Sequence, residues 1–416
     1  MSIFRLPRWV VKGIDRIRRD FLWSGPDIDH PGCRLVCWKN LCRPRDHGGW
    51  GILDLDCFNK ALLGKWWWKF MMDSSWRGAM VIQFNYGLSR SNLWPYQTGR
   101  ISFFWKGVLS CLPALRSCFS HKILTSKDTL FWHDGWINGV APRNLWPIEY
   151  GASIHPTGTV HELRHLLVVP PFSDNEVVRL TCTDVQTSDN HLKDIKSWRL
   201  NGNGTFTVKS FYNLLIDGGL RCSISRFFWR NWCPKKISLF NWLAWQNKIL
   251  TLENLARRRC NRLPTDTCVM CNAATETVDH LFIHYSFANK VWDYFISILR
   301  LPQLPLSLRD LWGRWRNNLH SERRGFGDLV AKAIIWNIWI ARNDCIFNAN
   351  VMHSLCLIMK IDRMLVSWCF SLADGPKVKL EEDCNTVRRS LEFLAPRVKS
   401  FEEIRSSVET LDPGSG

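Results

Sequence analysis

A chain of 416 residues is longer than one hydrophobic core usually holds, so two or three domains are expected, and 46% hydrophobic with 22% charged residues excludes a disordered polymer. The 55 Lys and Arg against 37 Asp and Glu leave a net charge of +18, which favours nucleic acid or another anionic surface as partner. The 16 cysteines are not read as a disulfide scaffold: Arg5 and Arg8 interrupt the first ten residues, no secretory leader is recognisable, and a reducing intracellular setting, nucleus or cytoplasm, is expected.

The 24 tryptophans, in runs such as Trp66-Trp67-Trp68 and pairs such as Trp242/Trp245 and Trp336/Trp339, are expected mostly in the core, since so much aromatic area in water would drive aggregation. The longest uncharged apolar run, Ala333 to Ala341, is about half of what a bilayer requires, so no membrane partner is expected.

In chain order, Val10, Ile14, Ile17 and Phe21 recur three or four apart, with Lys12, Arg16, Arg18 and Arg19 on the remaining faces, which predicts a basic amphipathic helix entered near Pro7 and stopped at Gly25-Pro26. Arg34 to Trp38 reads as a short strand and Gly48 to Ile52 as a tight turn without the Lys of a phosphate loop. Leu55, Phe58, Leu62, Trp66 and Phe70 predict a helix, with Asp54 and Asp56 as capping acids at its start. Residues 75 to 150 read as irregular, and His133/Asp134, beside Gly135 and with no nucleophile in view, as a structural pair in a turn.

Two alternating segments around Asn201-Gly202-Asn203-Gly204 predict a hairpin over residues 197 to 209, followed by a helix capped by Ser210. Further helices are expected at Phe227 to Trp232, at Ile237 to Trp245, after a cap at Thr251, from His280 through Leu299, and over 310 to 318 and 326 to 347. The chain after Leu372 is charged and weakly periodic.

The most specific chemistry lies at Cys268-x-x-Cys271, followed by His280 and His284. A Cys pair with two intervening residues presents both thiolates from one turn, and two His four apart share a helix face, so these four form a candidate tetrahedral Zn2+ site. Eight residues between Cys271 and His280, against about twelve in the common two-Cys, two-His finger, place it in another family.

The run from Phe228 to Thr251, then Cys268-x-x-Cys271, Glu276-Thr277, His280-Leu281-Phe282 and Val291-Trp292, resembles the zinc-binding reverse transcriptase module of plant LINE-type, non-LTR retrotransposons. Ile14 to Trp23, Cys42 to Ile52 and Phe131 to Trp136 are similar to the region between polymerase and zinc module, and Trp339 to Asn343 to the stretch after it.

The resemblance implies a mainly α fold with a small β-hairpin element and a helical zinc-binding module. Its organisation would be a post-polymerase region over 1–150, a linker over 151–194, the zinc module over 195–300, a helical extension over 301–372 and a charged tail over 373–416. The family pattern closes with a Cys five residues after the His, where this chain has Tyr285. On an α-helix Tyr285 would lie ~140° round from His280 and His284 only ~40°, so the fourth ligand falls to His284, to water, or to nothing.

Polymerase chemistry needs paired carboxylates for two Mg2+ ions, and the chain contains no Asp-Asp. Nor is a set of ribonuclease H carboxylates recognisable. The expectation is a non-catalytic module that binds RNA or an RNA–DNA hybrid without sequence choice, through the basic groups Lys235, Lys236, Arg257, Arg258 and Arg259, and takes no small-molecule substrate. The alternatives are an inactive relic and a reverse transcriptase whose catalytic residues are not recognised.

Overall fold

Pro7 presets the backbone for a first helical turn, and the helix Arg8–Ser24 follows it and ends at Gly25, whose φ of 74° suits glycine. The structure, a computed structural model, describes residues 2–25, 32–73, 75–86, 101–124, 126–127, 129–179, 194–229, 232–260, 265–371, 382–390, 392–394 and 396. Residues 180–193 of the expected linker and most of the expected tail therefore lie outside the described residues. Chain packing gives two units: Met1–Cys33 with Trp38–Pro44 and Gly49–Gly219, and Arg34–Cys37 with Arg45–Gly48 and Leu220–Gly416.

The first unit is organised by the Leu55–Met72 helix. Asp54 caps it, its side chain accepting from Cys57 N at 2.9 Å, and Asp56 pairs with Lys60, so both acids act at the helix start. Trp67 and Phe70 of this helix, Trp105, Phe119, Trp198 and Phe211 form an aromatic core in which each ring is at most 1% exposed. Burying one such side chain stabilises a fold by roughly 1.5–3 kcal/mol. Gly64 is required here, because a Cβ on it would stand 2.9 Å from the Phe211 ring of the Val208–Ile216 helix.

The small β element is a two-stranded antiparallel pair, but its arms are distant in sequence. Phe119–Lys122 pairs with Ile195–Trp198, Phe119 opposite Trp198. The Asn-Gly turn does fold back, with Trp198 N donating to Gly204 O at 2.8 Å. The segment after it is not a strand, because Phe206 packs on Trp198 at 4.9 Å and Thr207 caps the next helix, accepting from Ser210 N at 3.1 Å. Thr207, not Ser210, is thus the cap.

Several local expectations are corrected. Residues 34–37 form no strand and lead into the Trp38–Cys42 helix, and the stretch after 75 contains the helices Arg77–Tyr86, Phe103–Leu109 and Leu112–Arg116. A second core in this unit gathers Phe131, Trp132, Trp136, Val160 and Phe172.

The second unit is helical. Pro234 precedes Lys235–Trp245, Thr251 caps Leu252–Arg257, and Ser286–Leu299, Arg324–Asn348 and Ser354–Phe370 supply the long helices. Trp242, Trp292, Trp312, Ile335, Ile338 and Leu365 are among its fully buried side chains. The segment from His280 does not run unbroken to Leu299: His280–His284 is a π turn, and Tyr285 is extended at ψ 129° before the next helix starts. Cys369 and Cys384 form a disulfide, an exception to the expected reducing chemistry. Among the described residues no helix is long and apolar enough to cross a membrane.

Candidate metal centre

The loop holding the two thiols is a tight antiparallel turn. Thr267 bridges Thr275, Cys268 N donates to Ala274 O at 2.7 Å, Asn272 N to Cys268 O at 2.8 Å, and Glu276 N to Asp266 O at 2.8 Å. Asn272 occupies the left-handed region at φ 53°, a conformation its short amide side chain tolerates. The turn buries Cys268 completely and leaves Cys271 half-buried. Burial pushes the Cys268 thiol up to about 11. Burial also opposes ionisation of Cys271, yet the N–H groups of Ala273 and Ala274 and a hydrogen bond from Cys268 hold it below its ordinary value.

His280 approaches from the other side of this turn. Thr277 Oγ1 accepts from His280 N at 2.9 Å, and His280 Nε2 lies 3.4 Å from Cys271 Sγ. Burial, then the nearby His284, lowers the His280 pKa and favours the neutral imidazole that ligates metal. The ligand atoms of Cys268, Cys271 and His280 all lie within 4.8 Å of one another. With Zn–S near 2.3 Å and Zn–N near 2.0–2.1 Å, donors around one zinc stand about 3.5–4 Å apart, so this two-sulfur, one-nitrogen set fits in size and chemistry.

His284 does not join them. It is exposed, and its Nε2 is 2.8 Å from Leu306 O, to which the ring N–H donates. The reason is the π turn, closed by Tyr285 N donating to His280 O at 2.8 Å. An i→i+5 turn carries one residue more than an α turn, so the residue that returns over His280 is Tyr285, not His284. The α-helical angles expected from spacing do not apply. Tyr285 instead faces the loop: its ring centroid is 5.9 Å from that of His280, and its hydroxyl donates to Met270 O at 3.1 Å. Burial first, then the thiols of Cys268 and Cys271, raise its pKa. The chain thus presents three metal-type donors and a phenol beside them.

The basic residues are placed unequally. Lys235 and Lys236 are exposed at the start of their helix, with the Lys236 ammonium 5.4 Å from the Trp336 ring centre. Arg257 pairs with Glu253, and Arg258 donates to the carbonyls of Leu35 at 2.9 Å and Arg34 at 3.3 Å. Arg259, at φ 54° beyond the helix end, is exposed. Adjacent in sequence, these arginines read as one cluster, whereas two of the three are engaged within the fold.

Residues 206–292 match the family described as zinc-binding in reverse transcriptase, and all of the Cys and His positions above fall inside that stretch. This part of the chain is therefore a zinc-binding region of reverse-transcriptase type, and the chain is a reverse-transcriptase-related fragment. It is 25% identical over 377 residues to a protein of Arabidopsis thaliana named "Putative ribonuclease H protein", an alignment covering 84% of this chain and 58% of that relative. It is 27% identical over 144 residues, 34% of this chain and 92% of the relative, to an "Uncharacterized mitochondrial protein" of the same plant. The chain thus spans little more than half the length of the first of these relatives.

Proposed function

We propose that this chain is the zinc-binding, nucleic-acid-binding part of a LINE-type, non-LTR retrotransposon reverse transcriptase, with no catalytic groups of its own. The observation that carries this reading is the convergence of Cys268, Cys271 and His280 within the matched stretch. When bound, zinc supplies structural closure of the module, neutralising the thiolates and tying the loop to the turn at His280. Cys268 and Cys271 would hold it from the loop and His280 from the π turn, with the Tyr285 ring beside His280. The net charge of +18 supports a polyanionic partner, and exposed Lys235, Lys236 and Arg259 are the groups best placed to meet the backbone of RNA or an RNA–DNA hybrid.

Elemental analysis of the purified chain tests the metal. One zinc per chain is expected, lost in Cys268→Ser and kept in His284→Ala; a zinc-free wild type, or zinc unaffected by Cys268→Ser, would refute the site. Binding to single-stranded RNA and to a hybrid across a salt series tests the partner. Affinity should fall linearly on a log–log salt plot, and Lys235→Glu/Lys236→Glu should flatten the slope by roughly 0.7–0.9 for each phosphate no longer neutralised. Binding that is absent at low salt, or unchanged at high salt, would contradict it.

A further inference from the structure

The returning arm of the cysteine loop carries Glu276, whose side chain is fully buried. A carboxylate taken out of water is tolerated only when its charge is matched and its oxygens are hydrogen-bonded. The matching group is Arg342 on the Arg324–Asn348 helix, 66 residues away. Its Nε donates to Oε2 at 3.2 Å and its Nη2 to Oε1 at 2.7 Å, and Oε1 also accepts from Leu252 N at 2.9 Å. The guanidinium lies 4.9 Å from the Trp339 ring centre, and its Nη1 donates to Asn343 Oδ1 at 3.2 Å, so both ends of the pair are held.

We infer that the Glu276–Arg342 pair positions the metal centre: it anchors the Cys268–Cys271 loop to the Arg324–Asn348 helix so that both thiols face His280, and makes that helix part of the metal-binding module although it lies beyond residues 206–292. Two features support a positioning role. The ladder from Cys268 N to Ala274 O and from Glu276 N to Asp266 O makes the loop a single piece, so an anchor at Glu276 orients both sulfurs. A two-pronged guanidinium–carboxylate pair fixes angle as well as distance, which a point charge does not. Glu276 also precedes His280 by only four residues, and loop rotation about this stem would carry the sulfurs away from the imidazole.

The inference rests on the zinc reading, and the test separates the two. Zinc affinity is measured on the full chain by competition with a chromogenic chelator, with Co2+ absorption reporting the thiolate ligands. Arg342→Met should weaken zinc binding by about 10–100-fold, the effect of losing a group that orients a metal ligand. Arg342→Lys, which keeps the charge and loses the fork, should weaken it less and remains informative if Arg342→Met does not fold. Glu276→Gln/Arg342→Met should recover stability, since no lone buried charge remains, without recovering affinity.

Leu365→Ala, a cavity on the Ser354–Phe370 helix of the same unit, controls for simple destabilisation and should leave zinc affinity within about twofold of wild type. Wild-type zinc affinity in folded Arg342→Met, or an equal loss in Leu365→Ala, would overturn the positioning role. A wild type that takes up no zinc would remove the metal reading and this inference with it.

Discussion

The Phe131–Trp136 segment of the first unit and the Cys268–His280 group of the second both bury chemically able side chains, and they use them in opposite ways. Asp134 and His133 are each 2% exposed. Asp134 Oδ2 accepts from Leu130 N at 2.9 Å, the Trp136 indole donates to Phe131 O at 2.9 Å, and His133 Nδ1 stands 2.9 Å from an Arg143 guanidinium nitrogen. Because Arg can only donate, Nδ1 is the acceptor and the ring is neutral. Burial, then Arg143 and Arg116, push that histidine down to about 4. The segment's polar atoms are turned inward to hold its own backbone. In the second region the two thiols and the imidazole face one another with lone pairs still to offer. A buried polar group that is saturated is a structural element, whereas one whose acceptors converge on a common point is a binding site.

The largest test of this contrast is Asp134→Ala. It strands the buried Leu130 N–H and should cost the first unit about 3 kcal/mol in denaturant unfolding. Cys271→Ser in zinc-free protein, where the hydroxyl can still accept from the Ala273 and Ala274 N–H groups, should shift stability by no more than about 0.5 kcal/mol. Similar costs for the two would erase the distinction.

A second test uses a buried carboxyl that is only partly satisfied. Asp362 is fully buried, its Oδ2 accepts from Tyr294 Oη at 3.3 Å, and burial pushes it up to about 7. Its folded pKa exceeds the unfolded value near 3.9, so between these values the native state binds the extra proton and stability falls as pH rises. Unfolding of wild type from pH 4 to pH 8 should show that decline, and Asp362→Asn should remove it and be more stable by about 2 kcal/mol at pH 8. An unchanged pH profile in the variant would place the titration elsewhere.

The smallest effect sharpens the metal side. Tyr285→Cys places a thiol at the residue that the π turn returns over His280, and should raise zinc affinity about tenfold, or about 1.4 kcal/mol, in chelator competition. An affinity equal to wild type would mean that the fourth position does not lie at Tyr285.

Features governed by neighbours in sequence were legible. Pro7 and Gly25 bound the first helix, Asp54 and Thr251 cap theirs, and the spacing of Cys268, Cys271 and His280 brings them together. What depended on distant chain was not. The strand at Ile195–Trp198 found its partner at Phe119–Lys122 instead of across the adjacent turn. The expected metal ligand His284 went to Leu306 O because one extra residue widened the turn. The family resemblance draws on both Glu276-Thr277 and Trp339 to Asn343, yet nothing in either stretch reveals that Glu276 and Arg342 meet.

By itself the sequence determined the helical character, the basic charge, the local caps and the metal-type donors in their reverse-transcriptase setting, because these follow from covalent spacing and residue chemistry. Only the tertiary structure decided which donors converge, that Tyr285 and not His284 returns over His280, and that Glu276 is matched by Arg342. Those outcomes depend on which groups are removed from water together, and desolvation is set by chain segments far apart in sequence.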